Sequence, residues 1–241
     1  MHSPTHFHPL AVNAKTNEPY IQLPFPHSNI IITPPRQTDA DLKAMVSILN
    51  QEAVWKWLEG PPYPYETHHG QQWMESLMKE SQEILQAISE RDPGELATDC
   101  PVRIIREVQD NGEEIFLGDI YVAKCQYLYI TDPEERKRLT EENKKKDPGN
   151  TLWQFGDFLA PSHHGKGIMT LAIKAVIEQW MVPKMGVKHI SVTTYDNNIG
   201  SCRVFEKNGF LLKETIPNVR PIPEKKGGGM RGINLLQWDL V

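Results

Sequence analysis

The apolar positions change period along the chain, and each change marks an element. "NIIIT" (29–33) is a β-branched run stopped by Pro34 and Pro35, which predicts a strand. Leu42, Met45, Val46 and Leu49 then fall at helical spacing behind Thr38 and Asp39, residues that can cap the helix start. An aromatic, proline-broken passage, "AVWKWLEGPPYPYETHHGQQW", leads into a second helix that ends before Asp92-Pro93. "VRIIREV" and "EEIFLGDIYVA" read as strands, and the Asn111-Gly112 pair between them predicts a hairpin. Further on, "TLWQFGDFLA" predicts a strand, "GIMTLAIKAVIEQWMVPKM" a helix and "KHISVTTY" a strand. "SCRVFEK" predicts a short helix closed by Asn208-Gly209, and "FLLKETI" and "INLLQWDL" the last two strands. This order predicts an α+β (mixed α/β) fold around one sheet.

Two regions fall outside the pattern. Residues 1–28 are rich in His, Pro and polar residues without a sustained period, and a flexible N-terminal extension is expected there. Residues from about 126 to 150 are densely charged, with Asp132 as a plausible cap and Pro133 at the first helical position, so an exposed helical insertion is expected. Residues 29–241 would then form one domain carrying that insertion.

Composition narrows the partners. With 26 basic and 31 acidic residues the net charge is −5, which gives no field-level reason to expect nucleic acid. No run reaches the roughly 18 apolar residues of a membrane span, and the N-terminus lacks the features of a secretory signal, so a cytoplasmic protein is expected. Three widely spaced cysteines, Cys100, Cys125 and Cys202, fit a reducing compartment. The pairs His68-His69 and His163-His164 lack ligand spacing and adjacent histidines point apart on regular structure, so no metal is expected.

The candidate chemistry sits at "PSHHGKGIMT" (161–170), a glycine-containing turn between a strand and an apolar helix. It is not a Walker A loop, because Ala160 and Gly167 occupy the places of the required Gly and Ser/Thr. Nor is it a dinucleotide fingerprint from Gly165, since Thr170 stands where the third glycine belongs. What remains aims backbone N–H groups and a helix dipole at an anion such as a pyrophosphate, with Lys166 adding a flexible charge. Taken alone, the stretch also fits an ordinary glycine-rich connection.

Together with "YDNNIGSCRVFEKNGF" (195–210), this turn resembles the GCN5-related N-acetyltransferase (GNAT) superfamily, closest to its ribosomal-protein alanine and serine N-acetyltransferase branch. The turn is His164-Gly165-Lys166-Gly167-Ile168-Met169, and the later element is Asn198-Ile199-Gly200-Ser201 followed by Glu206-Lys207-Asn208-Gly209-Phe210. His164 and Met169 depart from the family's usual Arg or Gln and its second small residue. The resemblance implies a mostly antiparallel, twisted central sheet flanked by helices and splayed at the cofactor site. It implies acetyl-CoA as co-substrate and transfer of an acetyl group to a primary amine, a protein N-terminus or a small molecule, by direct attack in a ternary complex. A monomer or homodimer is expected, and the alternative is a non-catalytic acyl-CoA-binding module.

Carried onto this chain, the resemblance assigns the backbone of Phe158 and Leu159 to the pantetheine arm and the oxyanion. Asp157 is the nearest carboxylate and the candidate base; its competing role is a structural pair. Phe205 stands where many members have a thiolate-protonating Tyr, and is placed against the cofactor; Ser201 becomes the candidate acid and Asn198 an orienting or capping residue. Trp55, Trp57, Tyr63, Tyr65 and Trp73 are candidate walls of the acceptor site, with Gly227–Gly229 opposite, although such aromatics also serve as core.

Overall fold

The computed structural model describes residues 4–92 and 94–240. In chain order its elements are β1 (Ala11–Val12), β2 (Pro19–Gln22), β3 (Ile30–Thr33), α1 (Asp39–Leu49), α2 (Glu52–Trp55) and α3 (Thr67–Ser89). There follow β4 (Ile104–Val108), β5 (Glu114–Lys124), α4 (Pro133–Lys144), β6 (Leu152–Leu159) and α5 (Ile168–Val176). A π-helical turn (Ile177–Met181), α6 (Val182–Met185), β7 (His189–Tyr195), α7 (Ile199–Glu206), β8 (Leu211–Pro221) and β9 (Met230–Asp239) complete the chain. The mixed α/β class and the mostly antiparallel strand pairing agree with expectation. No described helix is long and apolar enough to cross a membrane.

Contacts divide the chain into two compact units, each interrupted in sequence. One runs to Ile120 and takes in Asp157–Met185; the other comprises Tyr121–Gly156 and the chain from Gly186 onward.

In the first unit the ladders β1-β2-β3-β4-β5 are all antiparallel, with Ile21 opposite Ile32 and Ile32 opposite Ile105. All four residues of β3 are buried, which explains its continuous β-branched run: a strand covered on both faces needs no polar alternation. Thr38 caps α1 by accepting the Asp41 N–H at 3.0 Å. β4 carries a buried cation, Arg106, whose Nη1 and Nη2 donate to Asp41 at 2.8 and 2.5 Å and whose Nε donates to Thr33 at 3.0 Å. Full pairing of this kind is the condition for keeping a charge inside. The hairpin forms at the predicted pair, with Gly112 at φ 82° and Gln109 N–H donating to Glu113 at 2.8 Å.

The flexible extension expected over residues 1–28 is corrected for its described part; Met1–Ser3 lie outside the described residues. β1 and β2 pair with each other and β2 adds to β3, while Phe7, Leu10, Ile21 and Leu23 are buried. Strands of two and four residues are too short to show a period, so no hydrophobic pattern marks them.

In the second unit the order is β6-β7-β9-β8. β6 and β7 are parallel at Leu152↔His189 and Trp153↔Ile190, and the strands run on past that register to Leu159 and Tyr195. β7 pairs with β9 antiparallel from His189↔Asp239 to Tyr195↔Ile233. β8 lies at the end of the order, with register shifts between Leu212 and Glu214 and between Ile216 and Arg220. Its Leu211 and Leu212 are exposed, and Asn218 sits at φ 51°.

The insertion contains α4 as predicted, with Asp132 accepting from the Glu134 and Glu135 N–H groups at 2.9 and 3.2 Å. It is less detached than expected. The fully buried Asn143 accepts the Leu152 N–H at 2.9 Å and donates to the carbonyls of Leu152 and Cys125 at 2.8 and 3.3 Å, sewing the helix to the ends of β5 and β6.

Candidate functional site

In the first unit the chain leaves β6 through Ala160 and a 3-10 turn, Pro161–His163, then passes Gly165 at φ 73° and Gly167 at φ 80° into α5. Positive φ at both positions is glycine's province, and a side chain added at either would meet nothing within 4 Å, so the outer face of the turn is open. The backbone N–H groups of Gly165, Lys166, Gly167, Ile168 and Met169 have no acceptor among the described residues, whereas Leu171 N–H begins the helix ladder at Gly167 O. Ile168 and Met169 bury their side chains and so offer only backbone. The result is a run of unengaged donors at the positive end of a helix, an arrangement that accepts an anion.

Two histidines hold the turn. His164 Nε2 donates to Leu159 O at 2.7 Å, which accounts for the departure from the family's usual residue: this side chain ties the turn back to the end of its own strand. His27, from the supposed extension, donates through Nε2 to Lys166 O at 2.8 Å, a contact spanning 139 residues that no sequence window reveals. His163 points elsewhere, toward Ser162 at 2.9 Å and Glu107 at 3.6 Å.

Asp157, Phe158 and Leu159 end β6. The Phe158 carbonyl lies so close to Gly118 that a Cβ there would stand 2.1 Å from it, and Ala160 N–H donates to Leu117 O at 2.7 Å, fixing this end of the strand on β5. The Phe158 ring lies 6.4 Å from Trp73 and 6.3 Å from Phe116. The half-buried Asp157 carboxylate has no hydrogen-bond or ion-pair partner among the described residues. Burial, with the negative Asp119 adding to it, pushes its pKa up to about 6. Asp119 is itself clamped by Arg103 at 2.7 and 2.8 Å, and Arg103 also lies over Trp73 at 5.8 Å. Sequence reasoning missed Arg103 and Asp119; the available signal was a charge within the apolar run of β5, at Asp119, and another just before β4, at Arg103.

In the second unit α7 begins at Asn198, whose Oδ1 accepts the Ser201 N–H at 3.2 Å, the capping role foreseen for it. The half-buried Ser201 hydroxyl makes no hydrogen bond to the described residues, so it is not consumed as a helix-start bond. Phe205 is packed in the core: it is 2% exposed and lies 6.2 Å from Phe155 and 5.2 Å from Phe210. Cys202 ties α7 to neighbouring strands through Thr194 at 3.0 Å and Asn234 at 3.1 Å.

The proposed acceptor walls divide. Tyr65 is a core residue, 5% exposed, with its hydroxyl on Met45 Sδ at 3.7 Å and its backbone held by Asn50. Trp55 and Tyr63 stack on each other at 4.4 Å and are half-buried, as is Trp57 under Lys56. Gly227, Gly228 and Gly229 all have positive φ in the β8–β9 connection. His68 and His69 do not point apart, their rings being 3.9 Å from one another. All three cysteines are free, and burial raises the Cys100 and Cys125 thiols to about 12 and about 11, which leaves them unreactive at neutral pH.

The family described as "Acetyltransferase (GNAT) domain" matches residues 29–211. Among curated proteins, the "Probable N-acetyltransferase YjcK" of Bacillus subtilis (strain 168) is 40% identical over 56 residues, which span 23% of this chain and 30% of that protein. The fold is similar to that of RimL, a ribosomal L7/L12 α-N-protein acetyltransferase solved with coenzyme A, at TM-score 0.59 and 13% identity, covering 92% of this chain and 98% of the other. It is also similar to the microcin C7 self-immunity acetyltransferase MccE, solved with acetyl-CoA and AMP, at TM-score 0.56 and 15% identity over 88% of this chain and 93% of that one. With its characteristic turn formed and the family match running from β3 into β8, this chain belongs to the GNAT acetyltransferase family.

Proposed function

We propose that this chain transfers the acetyl group of acetyl-CoA to a primary amine by direct attack in a ternary complex. The observation that carries the reading is the turn before α5, where five successive N–H groups without an acceptor among the described residues accompany two positive-φ glycines. His164 through Met169 would cradle the pyrophosphate, and the backbone of Phe158 and Leu159 would hold the pantetheine arm and supply an oxyanion donor. The solved relatives that hold acetyl-CoA or coenzyme A support this choice of donor.

Asp157 is the proposed base. At neutral pH a carboxyl with a pKa of about 6 is mostly ionised yet retains appreciable basicity, and it has no other bond to give up. It takes a proton from the acceptor ammonium, directly or through water, and the freed nitrogen attacks the acetyl carbon. The carbon–sulfur bond then breaks as the nitrogen gives up its second proton, which the Ser201 hydroxyl, directly or through water, relays to the departing thiolate, so that Ser201 ends neutral and an amide is left; Asn198 sets Ser201 by capping its helix.

The acceptor is proposed to be a protein N-terminus, whose α-amine titrates near 8 and needs less help than a lysine-like amine near 10.4. The likeness to an α-N-protein acetyltransferase supports that choice. Thiol release from acetyl-CoA, measured across peptides with different N-termini, polyamines and amino sugars, tests it. Turnover with peptides above the small amines is expected. Preference for a small amine overturns the acceptor, and tight coenzyme A binding without transfer to any amine favours the non-catalytic reading that the missing hydroxyl at Phe205 would fit.

A further inference from the structure

We propose that His27 is a positioning residue for the acetyl-CoA turn, acting through the Lys166–Gly167 peptide; this rests on the function proposed above. His27 lies in the connection between β2 and β3, before the first residue matched by the family, so it belongs to this chain's own N-terminal segment. Its ring is carried on a closed loop. Leu23 N–H donates to Ile30 O at 2.9 Å, His27 N–H to Pro24 O at 3.0 Å, Ile30 N–H to His27 O at 2.9 Å, and Gln22 Nε2 to Ser28 O at 2.7 Å.

A carbonyl oxygen only accepts, so the 2.8 Å contact with Lys166 O places the proton on His27 Nε2. The Lys166–Gly167 peptide is trans, so its C=O and N–H point in opposite directions. Holding the carbonyl toward His27 therefore aims the Gly167 N–H at the other face of the turn, where the pyrophosphate oxygens would lie. The hold is needed because glycine tolerates either sign of φ. At Gly167, φ 80°, the peptide can rotate to present its carbonyl to the anion at little steric cost. One hydrogen bond from the N-terminal segment thus preorganises a donor that the turn alone would leave free to flip.

The test compares wild type, His27→Ala and His27→Gln by titration with coenzyme A and by steady-state kinetics with acetyl-CoA and with acetyl-pantetheine, which lacks the pyrophosphate. His27→Ala is expected to bind coenzyme A about 3–10-fold more weakly, the scale of one neutral hydrogen bond. The turnover number at saturating acetyl-CoA and the kinetics with acetyl-pantetheine should stay unchanged. His27→Gln, which keeps an amide N–H of similar reach, should recover most of the affinity. Unaltered coenzyme A affinity in His27→Ala, an equal loss on acetyl-pantetheine, or a glutamine variant no better than alanine overturns the proposal. Wild-type protein that fails to bind coenzyme A at all would instead overturn the function on which it rests.

Discussion

Replacing Asp157 by Asn should make the protein more stable and nearly inactive, with both effects governed by pH. Burial and the neighbouring Asp119 raise this carboxyl from 3.8 to about 6 in the folded chain. A rise of about two pH units corresponds to roughly 3 kcal/mol against the charged form, and water reaching a half-buried carboxylate reduces it to about 2 kcal/mol. The folded state holds its proton longer than the unfolded one. Below the unfolded value both states are neutral and there is no penalty. Between about 4 and 6 the unfolded carboxyl is ionised first, so wild-type stability falls as pH rises. Above about 6 the full penalty is present and Asp157→Asn, which carries no charge, should exceed wild type by about 1–2 kcal/mol. Urea unfolding of both proteins at pH 4 and pH 8 measures the difference, which should vanish at the lower pH. On the same preparation, wild-type kcat/KM should lose activity below about pH 6, while the variant is lower by about 10²–10⁴-fold and lacks that limb. Superimposable stability curves at all pH values would refute the buried-charge argument. An unchanged acid limb in the variant would remove Asp157 as the base.

Ser201→Ala should lower turnover by about 10–10³-fold with little change in coenzyme A affinity, read by single-turnover kinetics and calorimetry, because its hydroxyl is unengaged while its N–H still meets Asn198. Asn143→Ala should destabilise the fold by roughly 2–4 kcal/mol in chemical unfolding, since it strands the Leu152 N–H and the Cys125 carbonyl, while the Leu152 carbonyl keeps the Cys125 N–H. By the same reasoning, excising residues 126–150 with a flexible linker should be more costly than trimming a surface loop.

What the sequence revealed was whatever is decided within a few residues. The caps at Thr38 and Asp132, the Asn111-Gly112 hairpin and the strand-turn-helix around Gly165 and Gly167 are local choices of backbone geometry, and each formed where expected. What escaped it depends on distant partners. Phe7 and Leu10 become core only because β1 and β2 lengthen the first unit's ladders. Arg106 can be buried only because Asp41, 65 positions away, meets it. The same limit applies at the candidate site. The turn itself was legible, but not its tie to His27, nor the field that Asp119 imposes on Asp157. Tyr65 and Phe205 are buried in the protein, and their aromatic type alone indicates a large buried area without saying what covers it.

β8 bears on how the molecule behaves in concentrated solution. It ends the strand order of its unit and displays two adjacent leucines, Leu211 and Leu212, a combination that invites chains to add edge to edge. Fibril growth, however, needs a straight template whose amides repeat in register. Between the two register shifts only Glu214, Thr215 and Ile216 keep uninterrupted pairing with β9, and beyond them Pro217 brings no amide hydrogen and Asn218 turns through φ 51°. An incoming strand would find a purchase of three residues before losing alignment on either side. The leucines can therefore remain at the surface without seeding polymerisation.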